Sequence, residues 1–181
     1  MLCTTGNLFV ELADSLLSEV NSYGLRHYNI TIYGKTHLFP RSMSWFGKVP
    51  YTFSGVTLKQ DVKPPEPLRI LLDLVRDTYS DKLNCCLLNY YKDGSDYINW
   101  HSDDEFIFDS KEPIVTLSVG GSRRFKVRSI LNHSDVEEYD SGHGDIIVMP
   151  PGFQQTHQHS IPKTSKQVDP RLSFTFRSYK A

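Results

Sequence analysis

Cysteine is too scarce here for a disulfide scaffold: the 181-residue chain has three, and two of them, Cys85 and Cys86, are adjacent. Neighbouring thiols inside an apolar stretch read as strand packing in a reducing compartment. No apolar run approaches the roughly 20 residues that a helical membrane span needs, so no membrane attachment is expected. The first residues carry no basic cluster and no long apolar run, so no secretory leader is expected. The expected location is intracellular, in nucleus or cytoplasm. Charge of one sign is also missing, with 20 basic residues against 21 acidic ones. That balance excludes a polybasic surface but permits a local basic groove. There is no internal repeat and no low-complexity segment.

What is present suits one globular domain, residues 1–181, expected as a monomer. Apolar residues make up 39% and aromatic residues 12% of the chain, enough for a sizeable core. Leu8, Val10, Leu12, Leu16, Leu17 and Val20 recur near helical spacing, which predicts a helix over 7–22 closed by Gly24. Residues 28–60 mix aromatics with Gly34, Pro40, Gly47, Pro50 and Gly55, the pattern of short strands and hairpins. Pro64 and Pro65 precede a second helical pattern over 67–79. Beyond residue 80 strands are expected at 83–91, 97–101, 113–119, 123–128, 145–149 and 172–177, separated by glycine- and proline-rich turns. The fold class is therefore mainly β with flanking helices, in a closed or double-sheet form rather than a parallel α/β one. Residues 1–80 read as a cover on a β core at 81–181.

Chemistry concentrates in that second part. His101 and Asp103 stand at i and i+2, so one extended strand end can present both to the same side. A lone His-x-Asp is usually a surface pair. Here His159 follows, and then Arg171 and Arg177 within Pro-Arg-Leu-Ser-Phe-Thr-Phe-Arg. Two imidazoles and a carboxylate can occupy one face of an octahedral Fe(II) and leave three positions open. His157, two residues before His159, is an alternative third ligand. In the last strand Leu172, Phe174 and Phe176 alternate with Arg171, Ser173, Thr175 and Arg177. A polar interior stripe with two arginines needs a buried anion, because unpaired buried charge is expensive. A dicarboxylate such as 2-oxoglutarate would meet that need, clamped bidentately by arginine.

Several segments together closely resemble the AlkB family of Fe(II)/2-oxoglutarate-dependent nucleic-acid dealkylases. They are Tyr33-Gly34-Lys35, Pro40-Arg41, Pro50-Tyr51-Thr52-Phe53-Ser54-Gly55, Asn89-Tyr90-Tyr91-Lys92-Asp93-Gly94, Trp100-His101-Ser102-Asp103-Asp104-Glu105, His159-Ser160-Ile161-Pro162, and Pro170-Arg171 through Arg177. The resemblance covers about residues 30–180. It implies a double-stranded β-helix, or jelly roll, that uses Fe(II), 2-oxoglutarate and O2, with ascorbate as an accessory reductant. It also implies roles. His101, Asp103 and His159 match the iron ligands, and the His159–Arg171 spacing favours His159 over His157. Asn89, Tyr91, Arg171, Thr175 and Arg177 match the 2-oxoglutarate seat. Tyr51 and Phe53 belong to a nucleotide lid, with Phe53 stacking on an extruded base opposite His101. Asp104 contacts the exocyclic amine of that base and counts with the catalytic group. Tyr33 is a hairpin wedge, and Arg41 a lid or phosphate contact. Ser173 departs from the family's usual Asn, and the long DNA-gripping loops are short.

The resemblance thus implies an oxidative demethylase of 1-methyladenine or 3-methylcytosine in nucleic acid, with single-stranded RNA or DNA favoured. A buried N-methyl edge must be flipped out or already unpaired, and Tyr51, Phe53 and Trp100 offer stacking faces. Two other readings stand beside it: a 2-oxoglutarate hydroxylase of a protein or small molecule, and a non-catalytic reader of modified nucleic acid.

Overall fold

The computed structural model describes residues 2–5 and 7–180. Strand β1 (Leu2–Thr5) leads into helix α1 (Asn7–Ser18), which ends in a single 3-10 turn at Val20–Ser22 rather than running to residue 22 as one helix. Two hairpins follow, β2 (Asn29–Ile32) with β3 (Lys35–Leu38), and, after β4 (Ser42–Phe46), β5 (Tyr51–Phe53) with β6 (Val56–Leu58). Helix α2 (Glu66–Thr78) has proline at its first turn, where the missing N–H costs nothing. The remaining strands are β7 (Cys85–Tyr91), β8 (Ile98–His101), β9 (Ile114–Gly120), β10 (Arg123–Ser129), β11 (Val136–Ser141) and β12 (Asp145–Met149). One helical turn, α3 (Phe153–Thr156), then delivers β13 (His157–Ile161), and β14 (Arg171–Arg177) closes the fold.

Two antiparallel sheets face one another. The larger runs β1-β12-β9-β14-β7-β4 and the smaller β11-β10-β13-β8. This double-sheet, mainly β arrangement is the one that the short strands and turns suggested, and it is the jelly-roll class that the resemblance implied. The division at residue 80 does not hold in the sheets, because β1 and β4 supply two of the six strands of the larger one. Both early strands are short, and β4 is buried throughout, so no period-2 pattern marks it as sheet.

β14 lies inside the sheet, paired with β7 along its whole length and with β9 from Arg171 to Phe176. Its apolar face, Leu172, Phe174 and Phe176, packs with Leu12, Ala13 and Leu16 of α1 and Leu68, Leu71 and Val75 of α2. Its polar face, Arg171, Ser173, Thr175 and Arg177, lines the space between the sheets. Burial of the first face thereby forces the second inward.

Gly120 sets how closely β9 approaches the start of β14. Its φ is +90°, and a Cβ there would lie 2.4 Å from the Pro170 carbonyl oxygen. The neighbour is backbone and cannot swing aside. Gly120→Ala should therefore cost more than about 1 kcal/mol, read as a fall in the urea midpoint with an unchanged slope.

Candidate metal and co-substrate site

His101 is the last residue of β8, and antiparallel pairing sets it directly opposite His159 of β13. Their ring centres are 4.2 Å apart. Asp103, just past β8, reaches both rings: Oδ1 is 3.7 Å from His101 Nε2 and Oδ2 is 3.7 Å from His159 Nε2. All three ligand atoms lie within 4.8 Å of one another. His101 Nδ1 is 2.8 Å from the Asn99 carbonyl. A carbonyl only accepts, so that nitrogen carries the proton and Nε2 keeps its lone pair. His159 has no such partner at Nδ1 among the described residues; its ring stacks on Phe125 instead. Burial, and then the neighbouring His101, pull the His159 pKa down to about 3. Burial also lowers that of His101. Both rings are therefore neutral donors at physiological pH.

Burial alone would favour the protonated form of Asp103. Arg177, with its Nη2 2.8 Å from Oδ1, followed by His159 and His101, outweighs that and holds the carboxyl well below its usual range. The Asp103 backbone N–H donates to Gln154 Oε1 at 2.9 Å, which ties the carboxylate's loop to α3. The donor set of two neutral imidazoles and one fixed carboxylate suits Fe(II). His157 takes no part: at the first position after α3 its ring stacks on Phe153 at 4.8 Å, away from the trio.

The trio lies in the wall of one cavity of about 680 Å³, lined by both sheets and the hairpins. Arg171 also lines it and is almost fully buried. Its Nη2 donates to Ser118 Oγ at 2.7 Å, while Nε and Nη1 have no partner among the described residues. Burial lowers its pKa to about 10, still far above neutral. A buried, half-satisfied guanidinium facing a cavity fits a carboxylate. Tyr91 lies beside it, its ring 5.5 Å from the guanidinium carbon. Thr175, within reach of Thr116, also lines the cavity, as do Asn89 and Ser173. The residues present therefore fit both Fe(II) and 2-oxoglutarate.

The lid residues come to the same cavity. Tyr51 and Phe53 stack at 4.9 Å, and Phe53 also meets Phe39. Tyr51 is buried and donates to Glu105 Oε1 at 2.5 Å. Asp104 is exposed at the cavity wall, and Tyr33 stands fully exposed on the β2–β3 turn with φ +48°. Trp100 turns its ring to Arg128, 4.4 Å away, so it is partly spent on packing. Arg41 is not where an outer phosphate contact would stand. It is 3% exposed, and its Nε donates to Asn89 Oδ1 at 2.7 Å. Sequence reasoning passed over Ser118, Gln154 and the buried edge of Glu105. The first was findable, since Thr116 and Ser118 are polar at alternate positions of an apolar run; Gln154 left no local signal.

A jelly roll with this trio and a half-satisfied guanidinium in one cavity defines a class, the oxygenases that take Fe(II) and 2-oxoglutarate. The chain belongs to the 2OG-Fe(II) oxygenase superfamily, whose model matches residues 6–177, and within it to the AlkB homologues. It is 31% identical over 151 residues to alpha-ketoglutarate-dependent dioxygenase alkB homolog 3 of Mus musculus, covering 79% of this chain and 53% of that protein. It is 31% identical over 184 residues to DNA oxidative demethylase ALKBH2 of Homo sapiens, covering 92% and 67%. The chain thus spans about half the length of the alkB homolog 3 relatives. A solved structure of OsALKBH1 shares the fold, with TM-score 0.63 and 17% identity over 97% of each chain.

Two measurements check the site. Titration of the metal-free protein with Mn(II) should show His101→Ala weakened by more than the about 10- to 100-fold that loss of a mere supporting group costs, and His157→Ala unchanged. Arg171→Ala should lower the apparent affinity for 2-oxoglutarate about 150- to 4,000-fold, as expected when breaking a buried pair costs about 3–5 kcal/mol. Arg171→Lys should recover only part, because a point charge cannot form the fork.

Proposed function

We propose that this chain is an oxidative demethylase of N-methylated bases, acting on 1-methyladenine or 3-methylcytosine in single-stranded RNA or DNA. The observation that carries the reading is one cavity lined at once by the iron-type trio, the orphan Arg171 and an aromatic lid with an acidic edge. Fe(II), held by His101, Asp103 and His159, would supply oxidation of the N-methyl carbon by O2, with 2-oxoglutarate converted to succinate and CO2. The hydroxylated methyl group then leaves as formaldehyde.

The chain's own residues supply position. Arg177 keeps Asp103 ionised and oriented. Arg171, with Tyr91, Asn89 and Thr175 around it, seats the dicarboxylate. Phe53, braced by Tyr51 and Phe39, presents a face for an unpaired base, and Asp104 an acceptor for its amine. Stacking of this kind is worth about 1–3 kcal/mol per base. The balanced net charge and the single wedge candidate, Tyr33, favour strands that need no unpairing. The two relatives' names, a dioxygenase and a DNA demethylase, support the same reading.

The test is to supply matched methylated oligonucleotides as RNA, single-stranded DNA and duplex DNA, and to measure formaldehyde and succinate together. Equal amounts of both, with single strands ahead of duplex, are expected. Succinate with no demethylation of any oligonucleotide would refute the reading. Phe53→Ala should slow oligonucleotide demethylation about 10- to 100-fold while succinate release without nucleic acid falls far less. Parallel losses would make Phe53 a structural residue.

A further inference from the structure

Arg41 presents an unsolved problem in burial. It lines the cavity at 3% exposure, between Phe39, whose ring lies 5.5 Å from its guanidinium carbon, and β4. Its backbone is fixed on both sides: the Pro40 carbonyl accepts from Tyr97 N–H, and Met43 pairs with Arg26. The side chain makes one hydrogen bond, from Nε to Asn89. Neither Nη group has a hydrogen-bond partner, and no carboxylate pairs with it, among the described residues. Nor are those nitrogens sealed away like Arg171 Nη1. They open on the cavity that holds the trio and the lid. His101, Asp103, His159 and Tyr51 line that same cavity, so Arg41 shares one space with the metal cluster. Three buried arginines with unpartnered donors line the cavity, and one of them, Arg177, is committed to Asp103. The dicarboxylate has a seat at Arg171, which leaves Arg41 for the other occupant.

We propose that Arg41 reads a carbonyl oxygen beside the N-methyl group of the substrate base, and so favours 3-methylcytosine over 1-methyladenine. This rests on the demethylase reading above. In 3-methylcytosine the N-methyl nitrogen is flanked by the C4 amine and the C2 carbonyl. In 1-methyladenine it is flanked by the C6 amine and a C2–H. Both present an amine to an acidic edge; only the first presents an acceptor on the opposite flank. A polar group built to meet an acceptor discriminates strongly against an analogue that lacks it, because its own donors are then left unpaired. Through Nε the same residue steadies Asn89, so its loss will slow both substrates to some degree. Discrimination, rather than rate, is therefore the informative quantity.

The experiment compares kcat/KM on matched single-stranded oligonucleotides carrying 3-methylcytosine or 1-methyladenine, for the unaltered protein, Arg41→Lys and Arg41→Gln, with thermal melts to confirm folding. Equilibrium binding of the same oligonucleotides to the metal-free proteins gives a second readout. The unaltered protein should prefer 3-methylcytosine in both measurements. In Arg41→Gln the preference should fall at least about tenfold, the size expected for an unmade hydrogen bond, with Arg41→Lys between. If both substrates lose activity by the same factor, Arg41 acts only through Asn89 and the proposal is overturned. A preference for 1-methyladenine in the unaltered protein overturns it as well. Turnover of neither oligonucleotide would instead remove the demethylase reading, and this inference with it.

Discussion

Arg177 and Asp103 meet at 2.8 Å with both side chains almost wholly buried, and the arrangement of the site follows from that contact. A carboxylate buried between two imidazoles would otherwise be pushed towards its protonated form and cease to be an anionic ligand. The guanidinium that prevents this comes from the last residue of β14, the central strand of the larger sheet. The trio itself belongs to the smaller sheet and its loop. The ion pair therefore joins the two sheets at the metal position, and whatever shifts β14 shifts Asp103 with it. Its rim is aromatic: the rings of Phe108 and Tyr51 lie 4.9 and 5.5 Å from the guanidinium carbon, which keeps water from competing.

The cavity otherwise holds more positive charge than it satisfies. Arg171, Arg177 and Arg41 each have donors without a partner among the described residues. A half-satisfied buried network is usually worse than an apolar core. Such an arrangement is stable only because the larger sheet has a separate apolar face, where Leu172, Phe174 and Phe176 meet both helices. Stability sits on one side of β14 and binding on the other. The strand is thus a partition, and its period-2 alternation is the device. Occupation of the cavity by an anion should add to stability by mass action, since the unfolded chain offers no such seat.

That partition was legible in the sequence because alternation and chemistry coincide over seven residues, 171–177. The trio was legible for a related reason: His101 and Asp103 share one strand end. The pairing of His101 with His159, however, is a fact of register between strands far apart in the chain, and only a resemblance could point to it. β11 and β13 were not visible. β11 is an exposed edge strand of mostly polar residues, and β13 reads His-Gln-His-Ser-Ile, so neither shows an apolar period. The site's supporting groups were equally hidden. Gln154 matters only because α3 brings it under Asp103, and Arg41 looked like a surface arginine until its strand proved to lie at the cavity wall.

The two histidines of the trio are held by different means, and the difference follows from where they stand. His101 is at a strand end, where the chain bends and the Asn99 carbonyl is free to accept from Nδ1. His159 is inside β13, paired on both sides, so nearby carbonyls are committed to the sheet ladder. Its Nδ1 has no partner among the described residues, and Phe125 on the neighbouring strand β10 fixes the ring plane by stacking at 19°. A hydrogen bond to a carbonyl raises a ligand's basicity as well as orienting it; a stacked ring only orients. On that basis His101 is the stronger donor of the two. The trio combines one ligand tuned by hydrogen bonding with one held by packing, and each solution is the one its position in the ladder permits.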